Sequence, residues 1–223
     1  MDAIRPVTAP LAVEICRTGR LLIEKKLVAG TWGNISARID DTQFSITPSG
    51  HPYETLIDAD ICCVSIDEGV QTGGRLIPSS EMPLHRAIYQ TRPDVRAIVH
   101  THSLYASACA VAGKEIPPVI EDIVQLVGGA IAVADYALPG TEELAYAAVH
   151  ALEDKQAVLL ANHGAVACGE TLAEAVMIAE VLEKAAQIYI LAEQLGGARL
   201  LSAPDVQIMR SFYLTSYRNR QKG

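Results

Sequence analysis

Three histidines constrain the fold of this chain more than any other feature. His100 and His102 lie two residues apart, and His163 follows much later, between Asn162 and Gly164. On a strand, positions i and i+2 face the same side, about 6.5 Å apart, so both imidazoles could reach one ion. A third imidazole must then come from a distant turn. Such a set leaves a divalent cation one or two open positions, as a catalytic zinc site requires.

The alternative without a metal site is that the His-x-His spacing is accidental and that His163 is only a residue of a hairpin turn. A glycine after His163 favours close approach to another element, and Asn162 before it suits a turn. His51, His85 and His150 lack such a setting, and we expect them on the surface or on a helix face.

Length and composition predict one soluble domain spanning residues 1–223, with no repeat and no linker. The chain has 223 residues, of which 50% are hydrophobic and 20% are charged, values typical of a globular protein. The formal net charge of −8 would repel a phosphodiester backbone, so nucleic acid is excluded as a partner.

Cysteine usage and the apolar runs indicate a cytoplasmic protein. The five cysteines form an odd set without Cys-x-x-Cys spacing, which favours a reducing compartment. The sequence has no signal-peptide pattern and no run of 18 apolar residues, so we expect no membrane association.

The hydrophobic pattern mixes strands and helices without a strict βαβ rhythm. It predicts a mixed sheet covered by helices on its faces. Predicted strands cover residues 34–39, 43–47, 60–66, 95–100, 129–134, 157–160 and 165–168. Predicted helices cover 11–28, 104–111 and 142–152, with others beginning at the serine-capped segment 79–83, at Thr171 and near Pro204.

Three short segments could hold an anion. Ser79 and Ser80 offer hydroxyls and N–H groups at a predicted helix start, and residues 31–34 and 47–50 are rich in hydroxyl, amide and glycine groups. Each could equally be a plain turn. Glu81 follows the two serines, where a carboxylate could simply favour the helix dipole. Neither a Walker loop nor a dinucleotide fingerprint occurs.

Taken together and in order, five motifs resemble the class II aldolase/adducin family, in particular its fuculose-phosphate aldolase branch. The motifs are Gly33-Asn34-Ile35-Ser36, Thr47-Pro48-Ser49-Gly50, Ser79-Ser80-Glu81-Met82-Pro83-Leu84-His85, His100-Thr101-His102 and Asn162-His163-Gly164.

The resemblance implies a three-layer α/β/α sandwich with a mixed, largely antiparallel central sheet. It implies one Zn²⁺ per subunit, with Mn²⁺, Co²⁺ or Fe²⁺ as alternatives, held by His100, His102 and His163 together with Glu81. It also implies a cyclic homotetramer with active sites between subunits, and a phosphate pocket formed by Thr31, Gly33, Asn34, Thr47, Gly50, Ser79 and Ser80.

By the same resemblance, Glu81 is the catalytic acid/base of an aldolase that cleaves a ketose 1-phosphate to dihydroxyacetone phosphate and an aldehyde. This role needs a carboxyl pKa near neutrality, which burial would favour and a metal would oppose. Fuculose 1-phosphate and 5-deoxy- or methylthioribulose 1-phosphate are the substrate types that we expect.

One departure from the family leaves the aldehyde-side proton donor open. The aldolase branch has a tyrosine where this chain has Ile120-Glu121-Asp122. Tyr217 is the catalytic tyrosine that we predict, with Tyr213 or an acidic residue near Glu121 as alternatives. A sugar-phosphate epimerase would more typically have Asp in place of Glu81. A keto-acid phosphate decarboxylase, a methylthioribulose-phosphate dehydratase and a non-catalytic adducin-like module are further alternatives, as is a structural zinc protein.

Overall fold

A mixed sheet lies at the centre of the computed structural model, which describes residues 9–217 without the side chains of Ala9 and Tyr217. Its strands are β1 (Asn34–Arg38), β2 (Gln43–Ile46), β3 (Cys62–Ser65), β4 (Gln71–Gly73), β5 (Ala97–Thr101), β6 (Val133–Ala134), β7 (Ala157–Leu160) and β8 (Gly164–Gly169). They form one eight-stranded sheet in the order β4-β3-β2-β1-β5-β8-β7-β6. Within this sheet β6 and β7 pair in parallel, and the other pairs are antiparallel.

Helices cover both faces of the sheet. They are α1 (Ala9–Glu24), α2 (Met82–Thr91), α3 (Leu104–Val111), α4 (Glu121–Val127), α5 (Glu142–Leu152), α6 (Leu172–Gln194) and α7 (Ala203–Phe212). Side chains of α1, α3, α4 and α6 share one buried core with the sheet, and those of α2 and α5 share another. The expected three-layer α/β/α sandwich with a largely antiparallel sheet is therefore confirmed.

Strand β5 runs through the middle of the sheet and contributes to both cores. Ala97 and Val99 belong to the core under α6, and Ile98 belongs to the core under α2. Because side chains alternate along a strand, His100 lies on the face of Ile98. This alternation points the histidine towards the layer that contains α2.

Most predicted elements are present, and the differences have local causes. The predicted bounds of α3, α5 and β7 are exact, and Thr141 and Thr171 cap their helices as hydroxyl acceptors. The expectation that a serine caps α2 is wrong. Its N-cap residue is Glu81, and the Ser79 hydroxyl instead accepts a bond from the Glu81 N–H group at 3.3 Å.

Two short elements, α4 and β4, do not appear in the sequence prediction, whereas β6 is shorter than the predicted strand at 129–134. Gly128 and Gly129 have positive φ angles of 104° and 148°. This conformation ends α4 and interrupts the extended run that the apolar pattern predicts.

Helix α3 begins directly after the histidine pair and receives its cap from a distant helix. The N–H groups of Tyr105 and Ala106 each donate to the Glu183 carboxylate of α6 at 2.9 Å. These are donors that a first helical turn leaves without an internal partner. Glu183 therefore takes the place of a local cap, since Ser103 makes no capping bond.

None of the helices within residues 9–217 combines the length and the apolar character that a membrane span requires.

The turn between β7 and β8 brings His163 against the end of β5. Asn162 adopts a positive φ of 55°, a conformation that asparagine tolerates better than most residues. Next in the chain, Gly164 sits so close to β5 that a Cβ atom there would collide with the Thr101 carbonyl oxygen and lie 3.0 Å from His102 Cδ2. Glycine is thus needed here for close approach.

We expect Gly164→Ala to destabilise the protein by about 1–3 kcal/mol, the usual cost of overpacking, and to weaken metal binding because the turn must move away from β5. Denaturant unfolding and elemental analysis measure the two effects. The matched control is Gly113→Ala, where a Cβ atom meets open space and only the positive φ of 62° is penalised. Equal metal affinity in the Gly164 variant and the wild type would contradict this reading.

Candidate metal centre and active site

Four side chains from distant parts of the chain meet at one point. Glu81, His100, His102 and His163 each contribute one potential ligand atom, and these atoms all lie within 4.8 Å of one another. His100 Nε2 lies 2.8 Å from His102 Nε2 and 3.1 Å from Glu81 Oε2, and His163 Nε2 lies 3.2 Å from Glu81 Oε1. The structure thus has a Glu/His₃ metal-binding group.

Each member of this group sits at the end of a regular element. His100 lies on β5 and His102 just after it, His163 lies in the β7–β8 turn, and Glu81 is the N-cap residue of α2. Strand β1 pairs with β5 so that Asn34 is opposite His100. The sheet therefore places Asn34, which donates a hydrogen bond to Glu81, beside His100.

The histidine nitrogens are arranged to present lone pairs to a cation. His100 Nδ1 lies 3.0 Å from the Ala165 carbonyl oxygen, which accepts only an N–H bond, so in the neutral ring Nε2 carries the lone pair. Burial and the neighbouring His100 lower the pKa of His102 to about 3 and that of His163 to about 4. Both rings are therefore neutral at pH 7, the form that binds metals.

Glu81 carries the negative charge of the group. Burial raises its pKa, but attraction and hydrogen bonding from His100, followed by His163 and Asn34, outweigh burial and lower the pKa below its usual value. In the protein without metal or substrate, the carboxyl pKa is therefore lowered and not raised towards the neutral value that the acid/base role needs. Glu81 is therefore a carboxylate, the form that can accept a proton. The Oε1 atom of Glu81 is buried and has no hydrogen-bond partner within residues 9–217.

The donor set fits a divalent transition metal. Three imidazoles and one carboxylate are ligands that zinc and its neighbours in the first row accept. Lone pairs that converge on a carboxylate repel one another unless a positive charge lies between them, and a divalent cation supplies that charge.

The segments predicted to bind phosphate also converge. The Thr47 hydroxyl accepts from the Ile35 N–H group at 3.2 Å, and the Thr47 carbonyl accepts from the Ser79 N–H group at 3.0 Å. Thr47 therefore links the start of β1 to the loop before α2. Gly33 is confined by β5, since a Cβ atom there would lie 2.7 Å from the His100 carbonyl oxygen.

The residues predicted to bind phosphate differ in their exposure to solvent. Thr31, Gly50 and Ser80 are exposed, whereas Asn34, Thr47 and Ser79 are buried. Asn34 Nδ2 donates to Glu81 Oε2 at 2.7 Å. An amide nitrogen carries two N–H groups, and this bond uses one of them.

The candidates for the aldehyde-side proton donor lie in α4 and at the C-terminal end of the described residues. The side chain of Tyr217 lies outside the described part of the chain. Tyr213 is buried against α4 and α7 with the Arg210 guanidinium over its ring, so it is not presented to the metal group. Glu121 is exposed in the first turn of α4, and Asp122 pairs with Lys184 at 2.6 Å.

Two residues near the metal group have surroundings that the sequence does not predict. His85 is fully buried, although the sequence suggested a surface or helix-face position, and it contacts Asn34 and Ser36. Its place four residues after Glu81 on the apolar side of α2 was the available signal. Trp32 is 67% exposed, and its ring lies 5.9 Å from that of His102.

The comparisons with known proteins agree with this geometry. The sequence model of the Class II Aldolase and Adducin N-terminal domain matches residues 13–190. A 5-deoxy-D-ribulose 1-phosphate aldolase of Bacillus thuringiensis serovar kurstaki is 37% identical over 195 residues, covering 87% of this chain and 91% of that protein. An L-fuculose phosphate aldolase of Escherichia coli K12 is 39% identical over 181 residues, covering 81% and 82%.

A solved structure of an L-fuculose 1-phosphate aldolase superposes with a TM-score of 0.90 at 35% identity, covering 94% of this chain and 98% of that one. The fold and the Glu/His₃ group define a metal-dependent lyase of the class II aldolase type. The chain belongs to the class II aldolase and adducin family.

We expect His102→Ala to lose stoichiometric metal, because it removes one of the four converging ligand atoms and leaves only two imidazoles, with a carboxylate whose Oε2 atom is already bonded to Asn34. Elemental analysis after dialysis measures the loss, and His150→Ala, an exposed histidine at the end of α5, is the matched control. A His102 variant that retains one tightly bound ion per chain would remove this residue from the ligand set.

Proposed function

We propose that this protein is a zinc-dependent aldolase that cleaves a ketose 1-phosphate to dihydroxyacetone phosphate and an aldehyde. The observation that carries the proposal is the convergence of Glu81 with three imidazoles beside loops that suit a phosphate. Relatives named for this reaction on two different ketose phosphates support it.

His100, His102, His163 and Glu81 would hold the metal. When bound, the divalent cation supplies Lewis-acid stabilisation of the negative charge that develops on the substrate when the C3–C4 bond breaks. Zn²⁺ is the ion that we favour, because three neutral imidazoles and one carboxylate suit its preference for nitrogen and oxygen ligands.

Glu81 would transfer the proton at substrate C3. Its Oε2 atom is engaged by Asn34, whereas Oε1 has no hydrogen-bond partner within residues 9–217. Oε1 is thus the atom available to exchange a proton with a carbon beside the carbonyl group. In the direction of bond formation, the carboxylate removes this proton, and in cleavage it returns it.

The substrate phosphate would be held at the start of α2 and by the two neighbouring loops. Ser80 and Gly50 are exposed there, and the Ser49 N–H group bonds the Ile77 carbonyl at 2.9 Å, which joins the two segments. Helix N-termini and hydroxyl-rich turns attract phosphate groups through their N–H groups. Thr31, Gly33, Asn34, Thr47 and Ser79 complete the proposed pocket.

The active enzyme is proposed to be a homotetramer whose active sites lie between subunits. Each subunit would be a single domain, and the enzyme would act in the cytoplasm. Two large, exposed apolar residues near His102 support an interface here. Trp32 is 67% exposed, and its ring lies 5.9 Å from that of His102. Leu104 follows His102 by two residues in the chain and is 72% exposed. Exposed apolar side chains beside a site often mark contact surfaces. Tyr217 would act on the aldehyde half, with an acidic residue near Glu121 as the alternative.

A panel of ketose 1-phosphates that differ only beyond C3 tests the proposed function. The panel contains fuculose 1-phosphate, 5-deoxyribulose 1-phosphate and methylthioribulose 1-phosphate, assayed with zinc and with a chelator. We expect release of dihydroxyacetone phosphate that stops on chelation. An isomeric pentulose phosphate, a decarboxylated product or a dehydrated product would instead identify one of the alternative activities.

We expect Glu81→Gln to retain bound metal but to lose at least ~10²-fold in turnover, the usual scale of acid/base catalysis. An amide can still offer an oxygen to the metal, but it cannot take the C3 proton. Steady-state cleavage rates and elemental analysis measure both properties, and Glu180→Gln on the exposed side of α6 is the control. Unchanged turnover would remove Glu81 from the proposed mechanism.

A further inference from the structure

A line of buried polar side chains extends from Glu81 into the interior, on the side away from the histidines. It consists of Asn34, His85, Ser36 and Tyr89, each at most 3% exposed. We call these four residues the polar line. Polar groups are costly to bury unless each is hydrogen-bonded, and every neighbouring pair along this line lies within bonding distance.

The direction of each bond in the polar line is fixed from the Glu81 end. A carboxylate only accepts, so Asn34 Nδ2 donates to Glu81 Oε2 and Asn34 Oδ1 is left as an acceptor. His85 Nε2 lies 2.5 Å from that oxygen and must carry the hydrogen. In a neutral ring Nδ1 then accepts from Ser36 Oγ, at 2.6 Å.

The bond between Ser36 and Tyr89, at the end of the line farthest from Glu81, has the same direction. Because the Ser36 hydroxyl gives its hydrogen to His85, it accepts from the Tyr89 hydroxyl at 2.8 Å. Complete burial lowers the pKa of His85 to about 3, which keeps its ring neutral and limits it to one N–H group. Every donor in the line therefore points towards Glu81.

Two regular elements hold the polar line in place. Asn34 and Ser36 are two residues apart on β1, and His85 and Tyr89 are four residues apart on α2, so each pair shares one face. The line therefore fastens the helix that begins at Glu81 to the strand that pairs with β5. The bonds that Asn34 and His85 make at the near end of the line set how the carboxylate faces the histidine cluster.

We propose that His85 is a positioning residue for the reaction, acting through the amide of Asn34. By donating to Asn34 Oδ1, His85 prevents the amide from turning its oxygen towards the carboxylate, where two acceptors would repel each other. The amide N–H group then holds Glu81 Oε2, and Oε1 is left to exchange the proton. This inference rests on the proposed function.

The test compares His85→Leu with His85→Gln in the full-length, metal-loaded protein. Leucine cannot donate to Asn34. Glutamine can donate through its amide nitrogen and accept from Ser36 through its oxygen, so it preserves the direction of the line. We expect the leucine variant to lose about 10- to 100-fold in kcat, as for partners of site residues generally, with little change in metal content, and the glutamine variant to recover most of this loss.

Tyr89→Phe is the control for a merely structural role. It removes the last hydroxyl of the line but leaves the three bonds nearest Glu81 with their direction unchanged. We expect a lower melting temperature with kcat preserved. The proposal is overturned if the leucine variant turns over normally, or if the folded glutamine variant is as slow as the leucine variant.

A measurement without substrate separates failure of this proposal from failure of the proposed function. Nitrogen-15 NMR of labelled histidine in the metal-loaded wild type reports which ring nitrogen carries the hydrogen. We expect His85, assigned by the signal lost in His85→Gln, to be protonated at Nε2. Protonation at Nδ1 would overturn the polar line even if aldolase activity is found. Protonation at Nε2 in a protein that cleaves no ketose 1-phosphate would reject the function alone.

Discussion

The structure is organised around one buried anion, the carboxylate of Glu81. An unpaired charge in a protein interior is unfavourable by many kcal/mol, so its surroundings must supply positive charge and hydrogen-bond donors. Here the donor is Asn34 on one side, and imidazoles lie on the other. Gly33 and Gly164 permit the close contacts between backbone segments that bring these groups within reach.

The sequence predicts the part of the site whose geometry is local. His100 and His102 share a face because strands alternate, and His163 lies in a tight turn because Asn162 and Gly164 flank it. Helices α3 and α5 were found to the residue, since their apolar spacing is regular and a strand or a capping threonine precedes each. Local sequence context also makes His163 the candidate for the third imidazole, whereas the addition of Glu81 to the metal group comes from the family resemblance.

The rest depends on contacts between segments far apart in the chain. The burial of His85 follows from the way α2 lies over β1, and no property of residues 79–91 alone reveals Ser36 or Asn34 as its partners. The same holds for the pKa of Glu81, which depends on three elements at once. Strand β4 is three residues long, too short to show a hydrophobic period.

The cap that Glu183 gives to α3 couples the outer layer to the reaction centre. Ser103 follows His102 directly, and the amides two and three residues later are tethered to the middle of the longest helix. A displacement of α6 would therefore move the start of α3 and, with it, the segment that contains His102. Natural variation along that helix could tune the chemistry at long range, without any change among the residues that meet the sugar.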